Sequence, residues 1–233
     1  MPSVPSERLK RFQRGLLAWY RVNQRKLPWR ETRDPYKILV SEIMLQQTQV
    51  DRVLPKYLQF LQRYPTFETL ARAQTAELRR LWHPLGYNIR PMRLRRIAQR
   101  TVKDHAGRLP DSYDGLIAME GIGRYTAGAV LSFAFDQDAP ILDTNVARLL
   151  ARHFGVRSPA KQGRAQRRLW KLAAAVIPPG QGYTINQAMM DFGALICTAR
   201  APKCASCALR RSCRTFPYAE TRAERRPRRH RRH

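Results

Sequence analysis

Two carboxyl groups stand in settings that ordinary surface acids do not have. Glu42 lies in ILVSEIMLQQ with apolar neighbours on both sides, so its charged form is partly desolvated, and a carboxyl so placed can hold a proton for general-acid work. Asp143 lies in PILDTNVARLLAR, where Ile141 and Leu142 are apolar and Val146, Leu149 and Leu150 continue a helical stripe. It falls at a helix start or one residue before it. Each has a plainer reading, an N-cap for Asp143 and a surface glutamate or an arginine salt bridge for Glu42. Together, a proton-donating carboxyl and an ionised carboxylate make the pair that glycosidic chemistry needs. One assists departure of the leaving group and the other stabilises an oxocarbenium-like transition state.

A second constellation is sulfur. Cys197, Cys204, Cys207 and Cys213 follow the spacing C-x6-C-x2-C-x5-C within seventeen residues. Incidental core thiols would be scattered through the helices, whereas four so close in sequence suit an all-sulfur site for zinc or for an iron–sulfur cluster. Lys203, Arg210, Arg211 and Arg214 stand in and beside the loops between them, so the module would present positive charge to a polyanion whichever metal it holds.

The third is a glycine-punctuated turn, LIAMEGIGRYTAGAVLSFAF. Gly121 and Gly123 bracket Ile122 and the small apolar run from Thr126 follows. A chain that turns sharply at two glycines and enters a helix directs amide N–H groups outward, where they suit a phosphate. Gly121, Gly123 and Arg124 are the expected contacts to a nucleic-acid backbone.

The elements that position these residues read as helices. Arg8 to about Asn23 has helical apolar spacing, and LPWRETRDPY, with Pro28 and Pro35, reads as an ordered loop. Lys37 to Leu61 reads as one or two helices broken by the polar patch Gln46, Gln47, Thr48 and Gln49. Thr66 and Thr75 are expected caps, HPLGYN a break, Arg90 to His105 a basic amphipathic helix, and Asp111 or Ser112 a further cap. Helices are expected again at Arg168 to Ile177 and Asn186 to Ile196, after a Gly/Ser/Pro loop past Arg152. No alternating strand pattern of useful length occurs, so the expected class is all-α. Residues 222–233 are Arg/His-rich without apolar periodicity and are expected to be disordered.

Composition narrows the partners. With 44 Lys and Arg against 17 Asp and Glu, the formal charge is +27. The segment from Tyr218 contributes seven arginines and two glutamates, so the rest still carries +22. Polyanion binding with strong salt dependence leads, with a solubility charge or attraction to an anionic membrane as the bland alternative. No apolar run reaches the roughly 18 residues that cross a bilayer, and no signal-peptide core is seen. An intracellular, cytoplasmic protein with reduced thiols, not membrane-bound and monomeric, is expected.

In order along the chain, LPWR, SEIMLQQTQV, GIGRYTAGAV, ILDTNVARLLAR, NQAMMDFGALIC and the cysteine spacing resemble the helix-hairpin-helix DNA glycosylases with a terminal iron–sulfur module, the endonuclease III and MutY superfamily, over about residues 8 to 215. The resemblance implies a two-lobed all-α fold, with a six-helix barrel lobe at 27–139 that carries the hairpin, a cluster lobe made of 1–26 and 140–215, and a basic tail at 216–233. It implies a 4Fe–4S cluster on the four cysteines, and double-stranded DNA with a mismatched or damaged base as partner, the base flipped between the lobes. Bifunctional members have a nucleophilic lysine where this chain has Tyr125, so Schiff-base lyase chemistry is not expected. SEIMLQQTQV looks like the adenine-removing branch: its catalytic acid falls on Glu42 and its duplex-probing glutamine on Gln47. Asp143 then stabilises the sugar cation, Asn145 and Tyr125 line the reacting centre, Arg30 and Gln187 fall on adenine-pocket positions, and Tyr87 on a wedge beside the orphaned base.

The expected function is monofunctional removal of adenine mispaired with guanine or 8-oxoguanine in base excision repair. Thymine/uracil excision at T:G and U:G and a non-catalytic iron–sulfur DNA-binding module are the alternatives. Three features depart from the adenine branch. Thr144 stands where a glycine is usual after the aspartate, HPLGYN replaces a loop richer in glycine and aromatic residues, and a basic tail follows the cysteines where a domain reading oxidised guanine is usual.

Overall fold

The structure is a computed structural model, and it describes residues 5–156 and 163–218. Among these residues there are helices and turns but no strands. The helices are α1 Ser6–Asn23, α2 Pro35–Leu45, α3 Val50–Arg63, α4 Phe67–Ala71, α5 Thr75–Trp82, α6 Ile89–Asp104, α7 Tyr113–Ile117, α8 Arg124–Phe133, α9 Thr144–Phe154, α10 Gly163–Ala175 and α11 Gly182–Leu195. Pro28–Arg30, inside the expected loop, forms a short 3-10 turn. The all-α expectation holds, and Gln46 to Gln49 separates α2 from α3 as the polar patch required.

Helix starts follow local chemistry. Asp34 accepts from the amides of Tyr36 (2.9 Å) and Lys37 (3.4 Å) ahead of Pro35 in the first turn of α2. Thr66 and Thr69 form a reciprocal capping box on α4, and Ser112 caps α7. Thr75 does not cap α5: Gln74 occupies that position without a side-chain bond and Thr75 is the first helical residue. α10 and α11 begin five and four residues before the expected starts. The first turn of α10, Gly163 to Gln166, is mostly polar and that of α11 opens on Gly182, so apolar spacing alone places those starts too late.

The chain forms two compact units. One takes Arg25–Ile141 and Ile177–Asn186; the other takes the described residues of Met1–Gln24, Leu142–Val176 and Gln187–His233. Ile177–Asn186 had been expected in the cysteine-bearing lobe. It groups with the first unit because the amides of Gly180 and Gly182 donate to the Asp138 carboxylate (2.7 and 2.8 Å) and the Asn186 amide donates to Ser132 and to the Ala139 carbonyl. The expected tail lies outside the described residues beyond Tyr218, as does 157–162 of the expected loop.

The core of the first unit is Leu39, Ile43, Tyr57, Phe60, Trp82, Leu94 and Leu116, each no more than 2% exposed. Trp29 meets Tyr57 edge-on, and Phe60 meets Trp82 in the same way. Each such side chain contributes on the order of 2 kcal/mol by leaving water. α8 is buried along almost all its length. Gly128 is obligatory there, since a Cβ would lie 2.3 Å from the Pro140 carbonyl oxygen. In the second unit Phe12 packs on His153 and Phe154, and Trp19 on Phe192. No described helix is long and apolar enough to cross a membrane.

Candidate active site

Glu42 sits on the third turn of α2, a helix so apolar that every residue from Ile38 to Met44 is buried. The carboxyl is 3% exposed. Desolvation alone would make such a group costly, and the structure shows what it meets: the Tyr125 hydroxyl donates to Glu42 Oε2 at 2.8 Å. Tyr125 belongs to the first turn of α8, so the helix that follows the glycine turn delivers a hydroxyl to the buried acid. The resemblance places Tyr125 at the lining of the reacting centre and names no partner for its hydroxyl. A contact spanning 83 residues has no local signature, and the bond was invisible there.

The turn between α7 and α8 closes through Met119 N–H to Leu116 O and Ile122 N–H to Met119 O. Gly121 has φ +98°, and a Cβ on it would lie 2.4 Å from Arg93 Cγ, so glycine is required. Gly123 differs from expectation. Its φ is −92° and nothing lies within 4 Å of where its Cβ would be, so one glycine makes the turn and the other serves as the N-cap of α8. No side chain caps that N-terminus, and a helix start of this kind suits an anion. Arg124 is exposed beside it.

Arg30 closes the 3-10 turn. Its guanidinium donates to the Arg25 carbonyl at 3.0 Å and its own carbonyl accepts from the Tyr183 hydroxyl at 3.0 Å. Gln47 and Tyr87 are exposed and both have left-handed backbones, φ 57° and 49°. These six positions, Arg30, Gln47, Tyr87, Gly121, Gly123 and Arg124, share a unit with Glu42. Gln187, 3% exposed, falls in the unit of Asp143.

Asp143 is the N-cap of α9. Its Oδ1 accepts from Val146 N–H at 2.6 Å and its Oδ2 from the Asn145 side-chain amide at 3.1 Å. Although the side chain keeps some surface toward solvent, burial pushes its carboxyl above the ordinary aspartate range. The Val146 and Asn145 bonds and the charge of Arg148 pull it back down. The N-cap reading holds, and the same bonds fix the carboxyl at the start of α9.

Arg148 was not expected. Its Nη2 donates to Asn145 Oδ1 (2.8 Å) and to the Gly193 carbonyl (2.6 Å), while its Nε donates to the Cys197 carbonyl (2.7 Å). A single guanidinium thus joins the partner of Asp143 to the first cysteine. Its place five residues after Asp143, with one more helical turn between it and the next arginine, was the only available signal. Arg152, one turn on, donates to the Thr198 and Ala199 carbonyls and to Cys197 Sγ at 3.7 Å.

Cys197, Cys204, Cys207 and Cys213 line one cavity of about 30 Å³ together with Arg152 and His153. Burial pushes the Cys207 thiol up to about 11 and raises Cys197 as well, against the pull of Arg152. Among the described residues no three His, Cys, Asp or Glu side chains are placed to hold a single metal ion.

Comparisons with known proteins agree with this architecture. The family described as HhH-GPD superfamily base excision DNA repair protein matches residues 40–175. Adenine DNA glycosylase of Buchnera aphidicola subsp. Baizongia pistaciae (strain Bp) is 39% identical over 206 residues, 88% of this chain and 58% of that protein. Thymine/uracil-DNA glycosylase of Methanothermobacter thermautotrophicus is 32% identical over 222 residues, 95% of this chain and 100% of that protein. The solved structure of a thermostable thymine-DNA glycosylase superposes with a TM-score of 0.85 at 32% identity, covering 91% of this chain and 98% of the other. The chain spans about half the length of the curated adenine glycosylases it matches. On the family match and on a relative aligned along its whole length, the chain belongs to the HhH-GPD superfamily of base excision DNA repair proteins.

Proposed function

We propose that this chain is a monofunctional DNA glycosylase that removes adenine mispaired with guanine or 8-oxoguanine from double-stranded DNA. The observation that carries the reading is the 2.8 Å bond from Tyr125 to buried Glu42. A hydroxyl stands where a nucleophilic amine would be needed for lyase chemistry, and it holds a carboxyl in a dry setting fit for protonating a leaving base. In the proposed step Glu42 passes its proton to a ring nitrogen of adenine as the C1′–N bond breaks, with the bonding pair leaving on the base. Asp143, ionised and held by Asn145 and Val146, stabilises the cationic sugar. Water then adds to C1′ and loses a proton. Gln187, buried and with an amide able to pair with the edge of adenine, supports adenine as the base, as does the likeness to adenine glycosylases at 39% identity.

Removal of thymine or uracil opposite guanine is the second reading. It is favoured by the match to a thymine/uracil glycosylase along that protein's whole length. Duplexes carrying A:8-oxoG, A:G, T:G and U:G, scored for base release after alkali, separate the two. Release of thymine and uracil alone would sink the adenine reading, and nicking without alkali would sink the monofunctional one.

The four cysteines fit a 4Fe–4S cluster. They line one cavity, and burial raises the thiols of Cys207 and Cys197, so that a bound cation would favour their thiolates. Such a cluster would order the segment 197–213 and set positive side chains such as Lys203 and Arg210 toward the DNA backbone. A brown chromophore and four irons per chain on purification test it. The site of action would be wherever the chromosome lies, the cytoplasmic nucleoid in a prokaryotic cell.

A further inference from the structure

Arg90 is buried, 3% exposed, on the first turn of α6. Its guanidinium has six acceptors, none of them a carboxylate. Nη1 donates to the carbonyls of Ile43 (3.2 Å), Met44 (2.8 Å) and Gln46, and Nη2 to the Thr48 hydroxyl (3.1 Å) and the carbonyls of Leu85 (2.9 Å) and Gly86 (3.1 Å). Ile43 and Met44 belong to the last turn of α2, which holds no basic residue of its own. A cation there completes the helix end and offsets its dipole. The remaining acceptors lie in two loops, 46–48 and 85–86.

These loops carry Gln47 and Tyr87, two of the four non-glycine residues with left-handed backbone among those described. Both tips are exposed, and the Tyr87 ring lies 5.4 Å from the guanidinium. A left-handed backbone at a non-glycine residue persists only where surrounding bonds over-determine it. The two Nη groups of the guanidinium do so for both loops at once, while Nε has no partner among the described residues. Lysine, with one nitrogen, could not reach both sets. We infer that Arg90 is a positioning residue that locks the Gln47 and Tyr87 tips in a fixed mutual register and ties both to the end of the helix bearing Glu42. This rests on the reading of those tips as probes of the duplex. It adds that one guanidinium couples the insertion of both to the placement of the catalytic acid.

Hydrogen–deuterium exchange on the full-length protein as purified, without DNA, tests the lock directly. In Arg90→Lys, amides within 45–49 and 84–88 should exchange roughly ten-fold faster while α7 and α8 stay as in the parent protein. Thr48→Val should loosen 45–49 by a smaller factor and decides the matter if Arg90→Lys does not fold. Unchanged exchange in these loops, or acceleration spread evenly over the whole unit, overturns the proposal. Single-turnover base release from an A:G duplex adds the functional side. Arg90→Lys should fall about ten-fold in rate, and Tyr87→Ala should cost less in that background than in the parent, because the tip is already loose. Full additivity counts against the coupling. Since exchange is read without substrate, failure of every duplex to lose a base would refute the proposed activity and leave the lock to be judged on exchange alone.

Discussion

The two carboxyl groups are held in opposite ways. Asp143 takes both its partners from the next three residues of its own helix start, Asn145 and Val146. Glu42 takes its hydroxyl from Tyr125, on a different helix. Asp143 is thus built by local backbone chemistry and Glu42 by tertiary packing. A group set by its own cap takes its direct bonds from within one turn and feels the rest of the fold through Arg148 on Asn145. A buried acid needs the core of α2, the hairpin turn and α8 all in place before the Tyr125 hydroxyl arrives. The acid should therefore be the more sensitive of the two to distant changes, and the aspartate the more sensitive to changes in its own turn.

The sharpest test of this contrast separates chemistry from stability. Glu42→Gln should slow base release by about 10²- to 10⁴-fold, the usual contribution of a general acid, and Asp143→Asn should slow it by a similar factor. Asparagine caps a helix as well as aspartate does and brings no buried charge, so Asp143→Asn should melt at the same temperature or higher at pH 7. A large drop in melting temperature with base release intact would leave only the N-cap role. The pH dependence has a defined sign. With its carboxyl held above the ordinary value of 3.8, the protonated form of Asp143 favours the fold, a contribution fully present below that value and lost as pH rises through the folded one. Activity should run the other way, because the proposed role needs the ionised form, and should fall as pH drops through the same raised value. Asp143→Asn should abolish this part of the stability profile.

The same contrast explains what could be read from the residues. Asp143 at a helix start, the Gln46 to Gln49 break and the Ser112 and Thr66 caps all depend on neighbours within four positions, so type and spacing revealed them. The Tyr125 hydroxyl on Glu42, the guanidinium of Arg148 on Asn145 and Cys197, and that of Arg90 on two loops span 83, 49 and 47 residues at most. Arginines in a chain with 44 basic residues read as surface charge, and nothing local distinguishes the buried ones. Thr75 and Gly123 erred in the other direction: residue types that favour caps and turns were assigned those roles, and the structure uses one as a helical residue and the other as an extended N-cap.

Intermediate effects probe the links between residues. Arg148→Gln removes charge-assisted bonds to Asn145, Gly193 and Cys197, each contributing about 1.5–3 kcal/mol. It should lower stability by about 3 kcal/mol in all and reduce iron content on purification. It should also slow base release more than the loss of folded protein explains, since Asn145 loses its orienter. Equal stability with unchanged iron would show that Arg148 connects nothing of consequence. Tyr125→Phe deletes only the hydroxyl that reaches Glu42. A single neutral-to-carboxyl bond of about 1.5 kcal/mol predicts a roughly ten-fold slower single-turnover rate, with the melting temperature shifted by a few degrees at most. A loss as large as that of Glu42→Gln would make the tyrosine a proton-transfer group in its own right.

The smallest effect expected is at Thr144, the exposed first residue of α9, directly after the aspartate. Its side chain makes no bond to the Asp143 carboxylate, and its carbonyl is a weak acceptor for Arg148 Nη1 at 3.4 Å. If Asp143 is fixed by Val146 N–H and Asn145, as the distances indicate, a freer backbone at the next residue should matter little. Thr144→Gly should then cost about 0.5–1 kcal/mol through helix propensity alone, read by thermal melting, with base release changed less than two-fold. A rate change beyond ten-fold in either direction would mean that the cap does not by itself hold the carboxylate. The stiffness of the threonine backbone would then be part of what aims it, and the division between a locally built aspartate and a tertiary-built glutamate would have to be redrawn.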